Sequence, residues 1–352
     1  MIRDSIALAA LLSWLACVVL IVLAQRWGFG LDETVGEQQK KHRRPTARSG
    51  GLAILVGFGA GAALAASIGY STARFDLQLL GTATPLLLAG IWEDLRRHLA
   101  PALRAGAGLL SALLAVSVLG ATIDRLGIPG VDTLLRSWPL LGAALSVVAV
   151  AALPHAVNMI DGFHGLAGVV GAMILAAIGY VAFKVGDTRI MVLAGAGVGA
   201  LIGFLFWNWP RGYIFLGDAG AYFIGFLAAL LATLLVRDHH EVSPWFALDV
   251  LLYPSWELLF SVYRRRVVRG RPGMLADTLH LHHLVHRRLQ RALNLGAQRP
   301  GEANAQTAPY LWGLAAFSIG PALLWWDRGS LLAAACLAFV AAYVWSYRAL
   351  LR

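Results

Sequence analysis

The sequence predicts an all-α protein that is integral to a membrane and crosses it about 10–11 times. Of its 352 residues, 59% are hydrophobic and only 14% are charged. The hydrophobic residues form continuous runs close to the roughly 20 residues that a helix needs to span a bilayer. They do not alternate as the strands of a membrane barrel would. The expected spans are about 6–24, 50–70, 77–92, 102–120, 139–157, 166–184, 190–207, 219–236, 243–262, 309–325 and 330–350.

These spans form one predicted domain over residues 1–352, and the first is interpreted as a retained helix because no clear cleavage site follows it. Cys17 and Cys336 both fall inside spans, so neither a disulfide framework nor a zinc site is expected. The loops predicted to share one side of the membrane are about 25–50, 91–101, 156–166, 208–219 and 263–308.

Charge placement predicts the orientation of these loops. Most of the 29 Lys and Arg residues follow odd-numbered spans, which puts those loops in the cytoplasm and the N-terminus outside. The net charge of +10 is then mainly a feature of the cytoplasmic face, where it also attracts anionic lipid. A nucleic-acid partner is not expected, because the chain has no soluble basic domain or recognisable binding module.

The first cytoplasmic loop contains the run QQKKHRRPTARSGGLAI. Lys41, His42, Arg43 and Arg48 precede a Gly-Gly pair that opens the second span. Cations beside flexible backbone at a helix N-terminus can cradle phosphate. The alternative is that these basic residues only set the orientation of the chain in the membrane.

The second loop, IWEDLRRHLAP, places two acids at the end of span three. Adjacent side chains on a helix point in different directions, so Glu93 and Asp94 do not form a clamp by themselves. One of them could bind a metal while the other handles a proton. The alternative is a solvated helix end.

The third loop is PHAVNMIDGFHGLAG, residues 154–168, between two long apolar runs. A carboxylate where a membrane helix ends is costly unless it meets a metal or a polar substrate. Asn158 and Asp161 are three residues apart and share one face if the helix persists through them. The alternative is a helix end, with Asp161 as the N-cap of the next helix.

The fourth loop places Asp218 between two glycines at the start of span eight. The helix dipole favours a carboxylate there, so a capping role and a bound divalent cation are both consistent with this position. Span nine contains Asp249 and Glu257, and acids inside a membrane are candidates for function. For Glu257, an ion pair with the nearby Arg264–Arg266 cluster is the alternative.

The fifth loop is the longest and most basic, and DTLHLHHLVHRRL within it predicts an amphipathic helix near the membrane surface. Its clustered His280, His282 and His283 are better suited to hydrogen bonding with phosphate than to zinc, since no cysteine is nearby. Acids, histidines and a basic rim on one membrane face together imply a polyanionic cytosolic substrate and a divalent metal.

These loops together resemble the polyprenyl-phosphate N-acetylhexosamine-1-phosphate transferases, a family within glycosyltransferase family 4. Within it, the antigen-initiating branch fits better than the related phospho-MurNAc-pentapeptide translocase, on its basic fifth loop and His motif. The motifs that carry the resemblance run in order over nearly the whole chain: HRRPTARSGG at 42–51, EDLRRHLAP, NMIDGFHGL at 158–166, FLGDAG at 215–220 and HLHH at 280–283.

The resemblance implies that undecaprenyl phosphate attacks the sugar-linked phosphate of a UDP-N-acetylhexosamine, such as UDP-GlcNAc. UMP leaves, and the lipid-pyrophosphate-sugar that initiates O-antigen, lipopolysaccharide or other cell-envelope polysaccharide remains in the bacterial inner membrane. The active site faces the cytoplasm, the cofactor is Mg²⁺ or Mn²⁺ in its place, and a homodimer is left open. The alternatives are the translocase activity and, from another class, a transporter, whose site is expected near the midplane.

By the same resemblance, the metal ligands are Asp218 as principal ligand, Asp161 and Asp94. Asp94 also matches a proposed base, and His282 joins the three acids as a catalytic residue. The implied substrate-binding residues are Lys41, His42, Arg43, Arg48, Glu93, Asn158, His280 and His283.

The chain departs from the family pattern at three positions. Glu93 replaces the first acid of an Asp-Asp pair, so a role that needs the shorter side chain is in doubt. His164 stands where the family often has a second Asp, which weakens a metal or base role there. The acid in span nine is Glu257 where the family usually has Asp.

Overall fold

The structure is a computed structural model that describes residues 2–28, 31–32, 46–96, 99–268, 279–292 and 300–351. In this part of the chain it is helical apart from one short strand pair, which confirms the predicted all-α class. The helices are α1 (Ile2–Trp27), α2 (Gly50–Ser67), α3 (Ala73–Arg96), α4 (Pro101–Leu119), α5 (Pro129–Ser137), α6 (Pro139–Ile160), α7 (Leu166–Val185), α8 (Thr188–Asn208), α9 (Gly217–Asp238), α10 (Pro244–Val250), α11 (Leu252–Tyr263), α12 (Leu281–Ala292), α13 (Pro300–Leu324) and α14 (Gly329–Leu351).

Within the described ranges, ten helices are long and apolar enough to cross a membrane, and the chain is a multi-pass membrane protein. Ten of the eleven expected spans correspond to these helices. The span expected at about 243–262 is instead two short helices, α10 and α11, that meet at Leu251. A π-type turn, Arg264–Val268, continues α11. The apolar run at 243–262 therefore predicted the position of a helical segment correctly, but it did not indicate the break within it.

Helix α9 is the centre of the bundle, because 94% of its most apolar stretch is buried inside the protein. It packs against α2, α3, α6 and α7. Gly51 of α2 and Gly90 of α3 face the first turn of α9 so closely that an added Cβ at either position would overlap its backbone. Small residues allow membrane helices to approach in this way. The bundle therefore holds the start of α9 rigidly.

The opposite end of α9 is anchored by a cation. Arg125 lies in the connection before α5 and donates hydrogen bonds to the carbonyl oxygens of Val236, His239 and Val242 at 2.7–3.0 Å. A positive charge at a helix C-terminus satisfies its free carbonyls and complements the helix dipole. Close glycine packing thus holds the start of the central helix, and a cation holds its far end.

A small antiparallel strand pair ties the first loop to the fourth. Strand β1 (Leu31–Asp32) pairs with β2 (Thr46–Ala47), and Ala47 also bridges to Ile214 just before α9. The backbone N–H of Phe215 donates to the Ala47 carbonyl at 2.8 Å. This pairing places Arg48, the next residue after β2, beside the start of α9.

Candidate active site

The candidate site is centred on the first turn of α9. Gly217 has a left-handed backbone (φ 76°), and a Cβ there would lie 2.6 Å from the Asp94 carboxylate. Because glycine has no Cβ, Asp94 can reach this turn and accept hydrogen bonds from the backbone N–H groups of Asp218 (2.8 Å) and Ala219 (3.0 Å). The carboxylate therefore satisfies two amides at a helix N-terminus, where negative charge is favoured.

Asp218 is buried, and its carboxylate lies between two arginines, one just after β2 and one in the first turn of α4. Arg48 Nη2 lies 3.5 Å from Oδ1, and Arg104 Nη1 lies 3.5 Å from Oδ2. The hydroxyl of Tyr222, one turn further along α9, donates to Oδ2 at 3.2 Å. These contacts fix the orientation of the Asp218 side chain.

The same two arginines also contact the acids of the second loop. Arg48 Nε is 3.9 Å from Asp94 Oδ1, and Arg104 Nη1 is 3.8 Å from Glu93 Oε1. The arginine side chains are 26% and 28% exposed, whereas that of Asp218 is 10% exposed. A soluble anion can therefore reach the cations, and the carboxylates lie behind them.

Glu93 and Asp94 point apart, as predicted for adjacent residues on a helix. Glu93 turns towards the following loop and accepts a hydrogen bond from the backbone N–H of Leu99 at 2.9 Å. Asp94 turns towards α9. The two acids thus have separate surroundings.

The third loop reaches the same cluster from α6. This helix ends at Ile160, one residue before Asp161, and the N-cap of α7 is Gly165. Of the alternative considered for this loop, the helix end at Asp161 is observed, but the N-cap role of Asp161 for the next helix is not. Burial and the negative charge of Asp218 raise the pKa of Asp161 to about 7, against the lowering effect of Arg48.

Asn158 joins the third loop to α9. Its side chain lies near the hydroxyl of Tyr222, and this hydroxyl donates to Asp218. Asn158 and Asp161 consequently approach Asp218 from the same side, although the helix does not continue through both residues.

The histidines of the fifth loop lie against the third loop. An added Cβ at Gly162 would be 3.1 Å from His282 Nε2, and the Phe163 ring packs edge-on against His282 at 5.5 Å between centroids. The rings of His280 and His282 are stacked at 5.3 Å, and those of His282 and His283 are 4.3 Å apart. The predicted amphipathic helix is confirmed as α12, with His282 and His286 on its buried face.

A buried acid holds the first of these histidines. Glu257 accepts hydrogen bonds from the backbone N–H of Leu281 (3.3 Å) and the hydroxyl of Tyr343 (2.6 Å), and its Oε1 is 3.0 Å from His280 Nδ1. The ion pair considered between Glu257 and the Arg264–Arg266 cluster is not the arrangement observed. Arg264 instead donates to the Leu279 carbonyl and the Tyr347 hydroxyl, both at 2.6 Å.

Three residues of this site were not predicted from the sequence. Arg104 and Tyr222 contact Asp218 directly, and His155 packs edge-on against Tyr222 at 5.2 Å between ring centroids. For Arg104 and His155 a signal was present, because each is a polar side chain within an otherwise apolar helix. The sequence did not single out Tyr222, because a tyrosine within an apolar run is usually a residue of the hydrophobic core.

Other residues considered lie apart from this cluster. The backbone N–H of His164 donates to the Asn304 side chain at 2.9 Å, and its ring packs against Phe215. Asp249 is fully buried and accepts from the Cys336 thiol at 2.6 Å. Three residues predicted to steer substrate phosphates, Lys41, His42 and Arg43, are outside the described residues.

The carboxylates of the site are oxygen donors of the kind that a divalent cation prefers. Across the described ranges, no group of three or more His, Cys, Asp or Glu side chains could hold a metal ion by itself. Mg²⁺ is commonly held by one or two carboxylates together with substrate phosphates and water. Asp218 and Asp161 suit that pattern, since they are oxygen donors whose mutual repulsion a cation would relieve. Asp94 already uses both oxygens on α9 amides.

An apolar cavity extends from near the site towards the opposite end of the bundle. Its volume is about 460 Å³, and it lies between α6, α9 and the broken pair α10 and α11. It begins at Ala156, two residues before Asn158, and reaches Arg125 at the far end of α9. Its length and lining suit a long hydrocarbon chain better than a nucleotide.

Comparison with known proteins shows what the chain resembles. The family model described as glycosyl transferase family 4 matches residues 77–236. A Bacillus subtilis protein named probable undecaprenyl-phosphate N-acetylglucosaminyl 1-phosphate transferase is 28% identical over 79% of this chain and 76% of its own length. A Mycolicibacterium smegmatis decaprenyl-phosphate N-acetylglucosaminephosphotransferase is 29% identical over 98% of this chain and 87% of its own. The Escherichia coli K12 undecaprenyl-phosphate alpha-N-acetylglucosaminyl 1-phosphate transferase is 29% identical over 49% of each chain.

Proposed function

We propose that the chain transfers N-acetylglucosamine 1-phosphate to a polyprenyl phosphate, with UDP-N-acetylglucosamine as donor, because the model of glycosyl transferase family 4 matches residues 77–236 and the relatives described above are named for this transfer. The observation that carries the proposal is the buried Asp218 between Arg48 and Arg104 at the start of α9. Cations with exposed tips in front of buried carboxylates suit a diphosphate that must be bound and neutralised while it reacts.

In the proposed reaction, an oxygen of the acceptor phosphate attacks the sugar-linked phosphorus of the donor. The bond from this phosphorus to the bridging oxygen breaks, and that oxygen leaves with UMP. The acceptor phosphate is already an anion, so the main demand on the protein is positioning and charge neutralisation. Arg48 and Arg104 meet this demand at the diphosphate, supported by the N-terminal dipole of α9.

The remaining residues would hold the two substrates. His282 lies against Gly162 and stacks on His280, and both rings can donate hydrogen bonds to phosphate or sugar oxygens. Asn158 and Tyr222 keep Asp218 in position. The polyprenyl chain would occupy the apolar cavity that begins at Ala156, which brings its phosphate towards Asn158 and Asp218.

Mg²⁺ belongs to this proposal as the group that supplies further positive charge to the diphosphate. Asp218 and Asp161 would hold it, and Asp94 would keep the start of α9 in place. The bacterial inner membrane, with the site open to the cytoplasm, is the proposed location, since the distribution of Lys and Arg along the sequence favours the cytoplasm for the loops that carry these residues.

The test is UMP release by the purified full chain with undecaprenyl phosphate and UDP-N-acetylglucosamine, with and without Mg²⁺. Release that requires both the lipid and the metal would support the proposal. Replacing the donor by UDP-N-acetylgalactosamine or UDP-MurNAc-pentapeptide identifies the sugar and tests the translocase alternative. A folded protein that releases no UMP with any of these donors would contradict the proposal and favour the transporter alternative.

A further inference from the structure

A second groove lies along a different face of α12 from the one that carries the buried histidines His282 and His286. It has a volume of about 530 Å³ and is enclosed by α12, α13 and α14. Val285, Leu314 and Phe317 are typical of its lining, and Arg288 is the only charged side chain among the described residues that form it. An apolar groove with a single cation is the pattern expected for an amphiphile with an anionic head.

The groove opens towards the lipid at the membrane surface. Its walls α13 and α14 are two of the candidate spans, and from Tyr310 to Phe317 it extends roughly 10 Å along the helix axis. Tyr310 and Trp345 line it and are 62% and 72% exposed. Exposed Tyr and Trp side chains are typical of the level at which lipid headgroups meet hydrocarbon.

Charge identifies the class of lipid. Arg288 is exposed and forms no ion pair with any residue that the structure describes. Arg287 and Arg291 extend the positive charge along the exposed face of the same helix. Basic residues on an amphipathic helix at the membrane surface attract anionic headgroups.

We infer that this groove binds an anionic glycerophospholipid, with one acyl chain between α13 and α14 and the phosphate at Arg288. The acceptor lipid is not the occupant, because α12 separates the groove from the carboxylates. His282 and His286 lie on the buried face of α12, whereas Val285 and Arg288 line the groove from a neighbouring face, about 100° around the helix. The inference does not depend on the proposed reaction.

The bound lipid packs against the face of α12 that lines the groove. Two helices and a lipid then hold this helix, and its position determines how closely His282 approaches Gly162. Lipid binding is therefore expected to raise the thermal stability of the whole protein, as any ligand of the folded state does.

The experiment measures retained lipid by native mass spectrometry, and the thermal midpoint, for the delipidated full chain titrated with phosphatidylglycerol. Phosphatidylcholine with the same acyl chains is the charge control. The wild type should retain one phosphatidylglycerol and gain more stability from it than from phosphatidylcholine. Equal retention and equal stabilisation by the two lipids would overturn the inference.

Two matched pairs of variants locate the site. Arg288→Gln should weaken phosphatidylglycerol binding about tenfold, whereas Arg291→Gln, outside the groove, should not. Gly313 lines the groove and has open space at its Cβ, so Gly313→Leu should fill the groove and block both lipids. Gly320→Leu, equally open but outside it, should bind as the wild type does.

Identical binding by the two arginine variants, or by the two glycine variants, would place the lipid elsewhere. Displacement of phosphatidylglycerol by equimolar undecaprenyl phosphate would assign the groove to the acceptor and likewise overturn the inference. Arg288 is exposed, so its substitution leaves a folded protein in which the question can be answered.

Discussion

Asp94 and Asp218 are acids with different roles, because the Asp94 side chain accepts a hydrogen bond from the backbone N–H of Asp218. Both oxygens of Asp94 accept backbone N–H groups of the first turn of α9, whereas the Asp218 carboxylate faces Arg48 and Arg104. The first acid thus anchors the helix on which the second stands. Substitutions at the two positions are therefore expected to differ in their effects on stability and activity.

Asp94→Asn is expected to lower both stability and activity. An amide can accept only one of the two N–H groups, and its own NH₂ faces the other, so a charge-assisted bond worth about 1.5–3 kcal/mol is lost. The thermal midpoint should fall by several degrees together with UMP release. Asp218→Asn keeps the helix anchor, so its midpoint should change little while activity falls about 100-fold or more. Equal midpoints for the two variants would refute the anchor role of Asp94.

Arg104→Gln is expected to raise KM for the UDP-sugar and to lower kcat. The variant removes a cation 3.5 Å from Asp218 that is exposed enough to meet the donor phosphates. A loss of about 10–100-fold in kcat/KM corresponds to about 1.4–2.7 kcal/mol. Arg104→Lys should recover part of it, because lysine keeps the charge but not the planar fork. Steady-state UMP release checks this, with the exposed Arg136→Gln of α5 as control.

Glu257→Gln is expected to lower kcat without a matching rise in KM, because the acid positions His280 and does not touch the substrate itself. His280→Ala should have a similar effect. Since the two residues act through one contact, the double variant should be little worse than either single variant. Additive losses in this cycle would mean that Glu257 acts on the site by another route.

Gly217→Ala is expected to destabilise the protein by at least about 2 kcal/mol. A left-handed backbone is unfavourable for alanine by roughly 1–2 kcal/mol, and the new Cβ would also collide with the Asp94 carboxylate. Gly106→Ala on α4 is the control, since it has open space around it and should be neutral or stabilising. Thermal unfolding of both variants measures the difference, and a Gly217→Ala protein as stable as the control would contradict the geometry described.

Much of the site could be anticipated because its loops carry polar residues that are costly at a membrane helix end. This cost singled out Asp94, Asp161 and Asp218. The distribution of Lys and Arg among the loops predicted that all three lie on one membrane face. Their mutual distances could not be anticipated. Whether Asp94 meets a cation or an amide depends on how closely α3 packs on α9, and that depends on glycines in three helices.

The sequence by itself determined the membrane class, the number of spans to within one, and the loops that carry the polar residues. Hydrophobic length is a local property, so it can be read along the chain. Only the tertiary structure decided that Arg104 meets Asp218, that Glu257 binds His280, and that the ninth span is broken. The two contacts join residues that are distant in the chain, and the packing of helices, which no local pattern encodes, brings them together.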